Sequence, residues 1–367
     1  MARWMTRVFL WSSGLLLVLS SLLLVAPAGW VESAWMTGAW PVWPALTARL
    51  HTLVPVPLTL PLLALVTLGL LGWALRRRPR WRRSLLTLLA WAALLALAFV
   101  PAWGAAYRRA PLAETLGLPS AGADTAMLLD ALEQLVARVQ ADAPPQALAA
   151  LDDVTGLEAA VAAAGRCVQA TDAAVSGRSL AVPQRVRALP AGALLRSGYA
   201  GISLPWLLEP HVDAALPPAA YLSVATHELT HAAGWAREAD TDALSLLAGL
   251  GCDHAWVRYA SALHGVQVVV VSLRPLLDEQ GPERARLEAS MVALPSAAQA
   301  DRAALAHAVR RWHDPTLARV VTTVYDGYLR SQGVAAGVAD YDAAGALLGA
   351  ALAVCEQDPG AAPRWCP

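Results

Sequence analysis

The chain contains no lysine and no asparagine, only two phenylalanines, Phe9 and Phe99, and a single isoleucine, Ile202. Without Asn there is no acceptor for N-linked glycosylation. All 28 basic side chains are therefore arginine, matched by 28 acidic ones, so the net charge is zero and no global field draws the chain toward nucleic acid. The missing lysines accompany an excess of Ala, Leu and Arg, the pattern of a GC-rich genome, and carry no functional message. Charge is scarce: 15% of the 367 residues are charged and 57% hydrophobic, far from the balance of a soluble domain. No CxxC pair occurs, which excludes a zinc knuckle. Cys167, Cys252, Cys355 and Cys366 are even in number, as in an oxidising compartment. Cys355 with Cys366 would close a short loop, whereas Cys252, following Gly251 at a helix end, reads as well as an unpaired core thiol.

What the chain has in abundance is apolar length. Three stretches, about 8–30, 53–75 and 84–104, carry no charged side chain, and each is long enough for a hydrocarbon core of about 30 Å. The connection between the second and third holds Arg76, Arg77, Arg78, Arg80, Arg82 and Arg83, which places it in the cytoplasm. Trp35, Trp40 and Trp43 in the 31–52 loop suit an outer interfacial belt, and Arg108 and Arg109 after the third stretch are a minor dissent. Residues 1–104 thus read as a multi-pass anchor in the cytoplasmic (inner) membrane, and residues 105–367 as an extracytoplasmic domain. Cleavage at Ala26-Pro27-Ala28 would leave that orientation unchanged.

The exported part reads as mainly α. Apolar positions recur at three and four residues, predicting helices near 125–141, 146–164, 298–312, 315–331 and 341–355. Weaker periodicity over 172–217, with β-suited runs at 180–182 and 199–204, predicts one or two short strands. Residues 360–367 read as a loose tail.

One motif carries chemistry: His227-Glu228-Leu229-Thr230-His231. With 8 His in 367 positions, a random HExxH pattern is expected roughly 0.005 times. A helix puts side chains at i and i+4 on one face, so both imidazoles can reach one metal while Glu228 sits beside it as general base. Pro217 and Pro218 suit the helix start, and Gly234 suits a left-handed end. Zinc needs a third protein ligand and an open corner for water. Glu238 is the expected ligand, Asp242 the acceptor behind one imidazole, and Asp240 the runner-up. A metzincin would have His where this chain has Arg237. Arg258 and Tyr259 are candidates for steadying an oxyanion. His211, His264, His307 and His313 have no partner pattern and read as structural or exposed.

These stretches resemble the bacterial membrane family called domain of unknown function 3810. The resemblance is carried by residues 107–118, 198–205, 227–247, Arg258-Tyr259 and 325–341. Where relatives tend to have Gly-Phe-Ala-Arg-Glu-x-Glu-Ala-Asn, this chain has Gly234-Trp235-Ala236-Arg237-Glu238-Ala239-Asp240-Thr241-Asp242, keeping the first Glu and shortening the second. The Glu-x-x-x-Asp run also looks like that of gluzincin peptidases, which implies a zincin-like domain with Glu238 as ligand. The expectation is a membrane-anchored zinc metallopeptidase cleaving a peptide or protein by zinc-activated water, with a strand near 199–204 aligning the substrate. The alternatives are a zinc amidohydrolase of the envelope, or a non-catalytic protein whose metal is enclosed by a fourth ligand such as His254 or Cys252.

Overall fold

The computed structural model describes residues 2–54, 56–76, 81–119, 123–150, 153–357 and 363–367. Proline punctuates the N-terminal part, because it cannot donate to a helix already under way. Helix α1 (Ala2–Val25) stops before Pro27, and the short α2 (Ala28–Trp30) runs into a π-helical segment, Val31–Ala39. Helices α3 (Val42–Leu53), α4 (Thr59–Arg76) and α5 (Trp81–Ala102) follow, then a 3₁₀ turn (Gly104–Arg108) and the short α6 (Leu112–Thr115). Residues 77–80 of the arginine-rich connection lie outside the described residues.

In a chain lacking Asn, helix caps fall to Asp. Asp124 accepts from Met127 N at the start of α7 (Thr125–Asp142), and Asp153 accepts from Gly156 N at the start of α8 (Val154–Ser176). The helix expected at 146–164 is therefore displaced: a 3₁₀ turn (Leu148–Ala150) comes first, and α8 starts only after its cap. The remaining helices are α9 (Pro218–Ala232), α10 (Glu238–Leu250), α11 (Ala255–Leu273), α12 (Pro282–Val292), α13 (Ser296–Trp312), α14 (Pro315–Ser331) and α15 (Ala344–Gln357).

Three short strands were found where one or two were expected. Strands β1 (Arg187–Leu189), β2 (Gly201–Leu204) and β3 (Glu209–Asp213) order as β1-β3-β2, with β1 parallel and β2 antiparallel to the central β3. The run at 180–182 is not a strand. Helix α9 packs on β2 and β3, and Ser203 Oγ donates to Glu228 O at 2.9 Å. Every residue of α10 is buried, enclosed by α8, α9, α11 and α15.

Among the described residues, one helical stretch, Gly337–Gln357, is long and apolar enough to cross a membrane. It contains α15, whose Leu348, Ala351 and Leu352 pack in the core against α7, α10 and α11. The N-terminal helices supply shorter apolar stretches, Ser13–Val25, Thr59–Trp73 and Leu88–Ala102. The expectation of three full-length spans is corrected accordingly: α1 ends ahead of Pro27, α4 begins only after Pro57, and α5 opens on arginines. The belt assignment of Trp40 is corrected too. Its ring is buried against Gly234, with Nε1 donating to Ala102 O at 3.0 Å.

Both disulfides form. Cys167–Cys252 joins α8 to the end of α10, so Cys252 is not a free thiol, and Cys355–Cys366 stitches the C-terminal tail to α15. Arg109, dissenting by the arginine rule, is buried, forks onto Glu32, bonds Gly234 O at 2.9 Å and covers the Trp235 ring at 3.9 Å. Arg109→Ala leaves that carbonyl without its donor and should cost about 2 kcal/mol, less than a fully buried pair because Glu32 is partly exposed. Thermal unfolding of the purified protein, with the helical signal unchanged at low temperature, measures it.

Candidate metal centre

Pro218 opens α9 at its first turn, where a missing N–H costs nothing, and Gly234 ends the segment at φ 85°. No larger residue fits there: besides the left-handed backbone, an added Cβ would meet the Trp40 ring at 2.6 Å. The turn carries the chain straight into α10, whose first residue is Glu238. Guanidinium groups fix this turn on both sides. Arg178, paired with the fully buried Asp172, donates to Ala233 O at 2.6 Å, and Arg109 holds Gly234 O.

His227, His231 and Glu238 converge. The Nε2 atoms of the two histidines are 3.1 Å apart, and each lies 3.3 Å from Glu238 Oε2. His231 Nδ1 faces Trp235 O at 2.7 Å, which can only accept, so that ring carries its proton on Nδ1. His227 Nδ1 faces Asp242 Oδ1 at 3.2 Å with the same consequence. Both Nε2 atoms are then lone-pair acceptors pointing at each other and at a carboxylate oxygen that has no hydrogen-bond partner. Acceptors so placed repel unless a proton on one imidazole or a bound cation joins them; against the effect of burial, hydrogen bonds to Asp242 and Glu238 raise the affinity of His227 for such a proton. The spacing of the three atoms suits a cation: bonds of about 2.0–2.1 Å in a tetrahedron set donor atoms about 3.3 Å apart. Two imidazoles and a carboxylate suit zinc or a similar transition ion rather than calcium or magnesium.

Carboxylates at a helix start usually face water, yet Glu238, Asp240 and Asp242 are all buried. Burial alone would raise the Glu238 and Asp242 carboxyls; the facing histidines hold both well below the usual range. For Glu228 burial prevails and raises its carboxyl, whose Oε2 has no hydrogen-bond partner among the described residues. Asp240 is not part of the cluster. It lies beside Arg237 and the backbone of Leu112, and burial brings it up to about 6.

In front of His231, Glu238 and Glu228 lies a cavity of about 410 Å³. Five of the seven tyrosines line it: Tyr107, Tyr199, Tyr325, Tyr328 and Tyr341. The Tyr325 hydroxyl donates to Glu238 Oε1, and the Tyr341 ring stacks 6.4 Å from that of His227. Burial pushes both phenols above their usual range, so they remain donors.

Arg258 and Tyr259 are elsewhere. Arg258 pairs with Asp142 and bonds Cys252 O, while the Tyr259 hydroxyl donates to Asp301, whose carboxylate also takes Leu148 N and Ala149 N. Neither lines the cavity, because both serve packing around the first turns of α11. His264, read as structural or exposed, lies 3.2 Å from Asp242 Oδ1, so one carboxylate oxygen faces two imidazoles. His211, also without a partner pattern, is buried beside Glu209 on β3.

No curated protein and no solved structure matches the chain. Residues 35–348 match the family described as "Protein of unknown function (DUF3810)", and with most of its length covered the chain belongs to that family.

Proposed function

We propose that the protein is a membrane-anchored zinc metallopeptidase. The observation that carries this reading is the convergence of His227 Nε2, His231 Nε2 and Glu238 Oε2 at 3.1, 3.3 and 3.3 Å, the spacing of ligands around one ion. A zinc ion held by His227, His231 and Glu238 would acidify a bound water and polarise a carbonyl. Glu228 lines the same cavity with one carboxylate oxygen unpartnered, placed to take a proton from that water and deliver it to the leaving amine. Its raised affinity for protons suits an acceptor that must also give the proton up. Asp242 orients His227, and the carbonyl of Trp235 orients His231. Tyr341, rather than Arg258 and Tyr259, supplies a donor at the cavity wall for charge developing on the carbonyl oxygen, while the Tyr325 hydroxyl steadies Glu238.

Strand β2 supports a peptide substrate over a small amide. Among the described residues it is an edge strand, pairing with β3 alone, and Gly201 to Leu204 line the cavity alongside Glu228. An extended chain laid on that edge would run past the candidate ion. Gly201 lets Glu228 lie close against that strand, since an added Cβ would strike its side chain. A metal enclosed by four protein ligands loses support: Cys252 is in a disulfide, and His254 lines a different cavity with Asp253.

The anchor is part of the proposal. Large apolar side chains on α1, α4 and α5 face outward, among them Leu15, Leu65 and Leu86 at 72, 69 and 65% exposure. The apolar stretches of these helices, Ser13–Val25, Thr59–Trp73 and Leu88–Ala102, extend about 20–22 Å at 1.5 Å per residue, so the anchor uses the flanking helical turns to reach across a core of about 30 Å. The domain from residue 105 onward then lies outside the cytoplasmic membrane, where its disulfides can form.

Metal analysis tests the centre. Protein purified without chelator should carry one equivalent of zinc, and His227→Ala should carry less than about a tenth of that, ligand loss being costlier than the 10–100-fold effect of losing an orienting partner. Equal metal in both proteins would overturn the proposal.

A further inference from the structure

The floor of the cavity is the end of α5. Phe99 and Trp103 line it from that helix and the residue just past it, and Trp206 Nε1 donates to Leu95 O at 3.3 Å. Leu95 lies seven residues before the end of α5, about 10 Å along its axis. The turn between β2 and β3 therefore reaches down the side of a helix that the anchor reading places in the bilayer. That turn, Leu204-Pro205-Trp206-Leu207-Leu208, has no ionisable side chain, and on its other flank Leu207 O meets His51 Nε2 of α3 at 2.9 Å.

The opposite rim is α14, which is apolar on two sides. Val321, Tyr325 and Tyr328 face the cavity, while Leu317, Val320 and Val324, three and four residues apart, face outward with 40, 58 and 68% exposure. The Phe99 and Tyr328 rings meet edge to face at 6.2 Å, so α14 lies across the end of α5. Tyrosine and tryptophan around the opening, with leucine and valine beyond them, form the gradient of a membrane interface rather than of a water-filled cleft.

We propose that this cavity opens sideways onto the outer leaflet, and that the substrate is a polypeptide segment carried at the bilayer surface with apolar side chains flanking the cleaved bond. The inference rests on the preceding reading of a zinc peptidase with an N-terminal anchor. A segment arriving from lipid exchanges one apolar contact for another and settles its backbone on β2. A segment arriving from water must instead desolvate at a rim that offers little polar replacement.

The test uses the full-length protein in phosphatidylcholine and phosphatidylglycerol vesicles. One leucine- and phenylalanine-rich peptide is supplied in two forms, free and N-terminally palmitoylated, at equal bulk concentration. Wild type should cleave the tethered form at least tenfold faster. Val320→Glu/Val324→Glu, on the outward face of α14 and off the cavity wall, should erase most of that difference while leaving the free-peptide rate within twofold. An advantage that survives in the double variant reflects local concentration alone and overturns sideways entry. Equal cleavage of both forms, abolished in each case by Glu228→Gln, overturns sideways entry and leaves the peptidase standing. Cleavage of neither form by zinc-loaded protein overturns the peptidase reading, and the inference with it.

Discussion

Glu228→Gln is expected to bind zinc as wild type does and to hydrolyse peptides at least about 10³-fold more slowly. The separation follows from position. Glu228 contributes no atom to the 3.1–3.3 Å triangle, so an amide in its place leaves the three ligand atoms where they are. What the amide cannot do is accept a proton, and a positioned general base contributes about 10²–10⁴-fold. The upper part of that range applies because burial raises the Glu228 carboxyl, bringing its proton affinity closer to that needed near neutral pH. The measurement is turnover of a mixed peptide library followed by mass spectrometry, beside metal content of the same preparation. Unchanged turnover in the zinc-loaded variant would remove Glu228 from the chemistry.

The second large effect is on stability. Cys167 and Cys252 are 85 residues apart, and the loop they close contains all three strands, α9 and all of α10, hence every candidate ligand. In the chain-entropy treatment a loop of that length is worth about 4.5 kcal/mol, against about 3 kcal/mol for the 11-residue separation of Cys355 and Cys366. Cys167→Ser/Cys252→Ser should therefore lower the melting midpoint by roughly 10–15 °C, at about 2–4 °C per kcal/mol for a domain of this size. The tail pair should cost less. A midpoint within about 3 °C of wild type would show that packing of α8 on α10 suffices without the bond.

The HExxH centre was legible because its geometry is local. Two histidines one turn apart, a glycine that ends the helix, and a carboxylate at the start of the next helix all fall within 12 residues, and helical spacing fixes their relation. The tyrosines were not legible. Tyr325 reaches Glu238, and Tyr341 reaches His227, only through tertiary packing across more than 80 residues, and nothing in their spacing ties them to the motif; the one available signal was that tyrosine is scarce in this chain. His264 was missed for the same reason, since its partner Asp242 lies on another helix. Strand β3 escaped because Glu209-Pro210-His211-Val212-Asp213 has no apolar alternation. Each of its side chains is buried, and the polar ones find internal partners: Glu209 takes Leu58 N and Thr59 N, and Asp213 takes Gly192 N, Leu194 N and Leu195 N. At the N-terminus hydropathy located the helices but not their ends, which prolines and arginines decide.

The two guanidinium groups holding Ala233 O and Gly234 O make the bend between the paired imidazoles and the carboxylate a stiff bracket. Its shape is set when the polypeptide folds, so capture of the proposed ion would need little rearrangement. Uptake should then be limited by diffusion and dehydration of the ion, and release by breaking coordinate bonds one at a time. The backbone amides of this bend should exchange with deuterium equally slowly whether or not the ion is aboard.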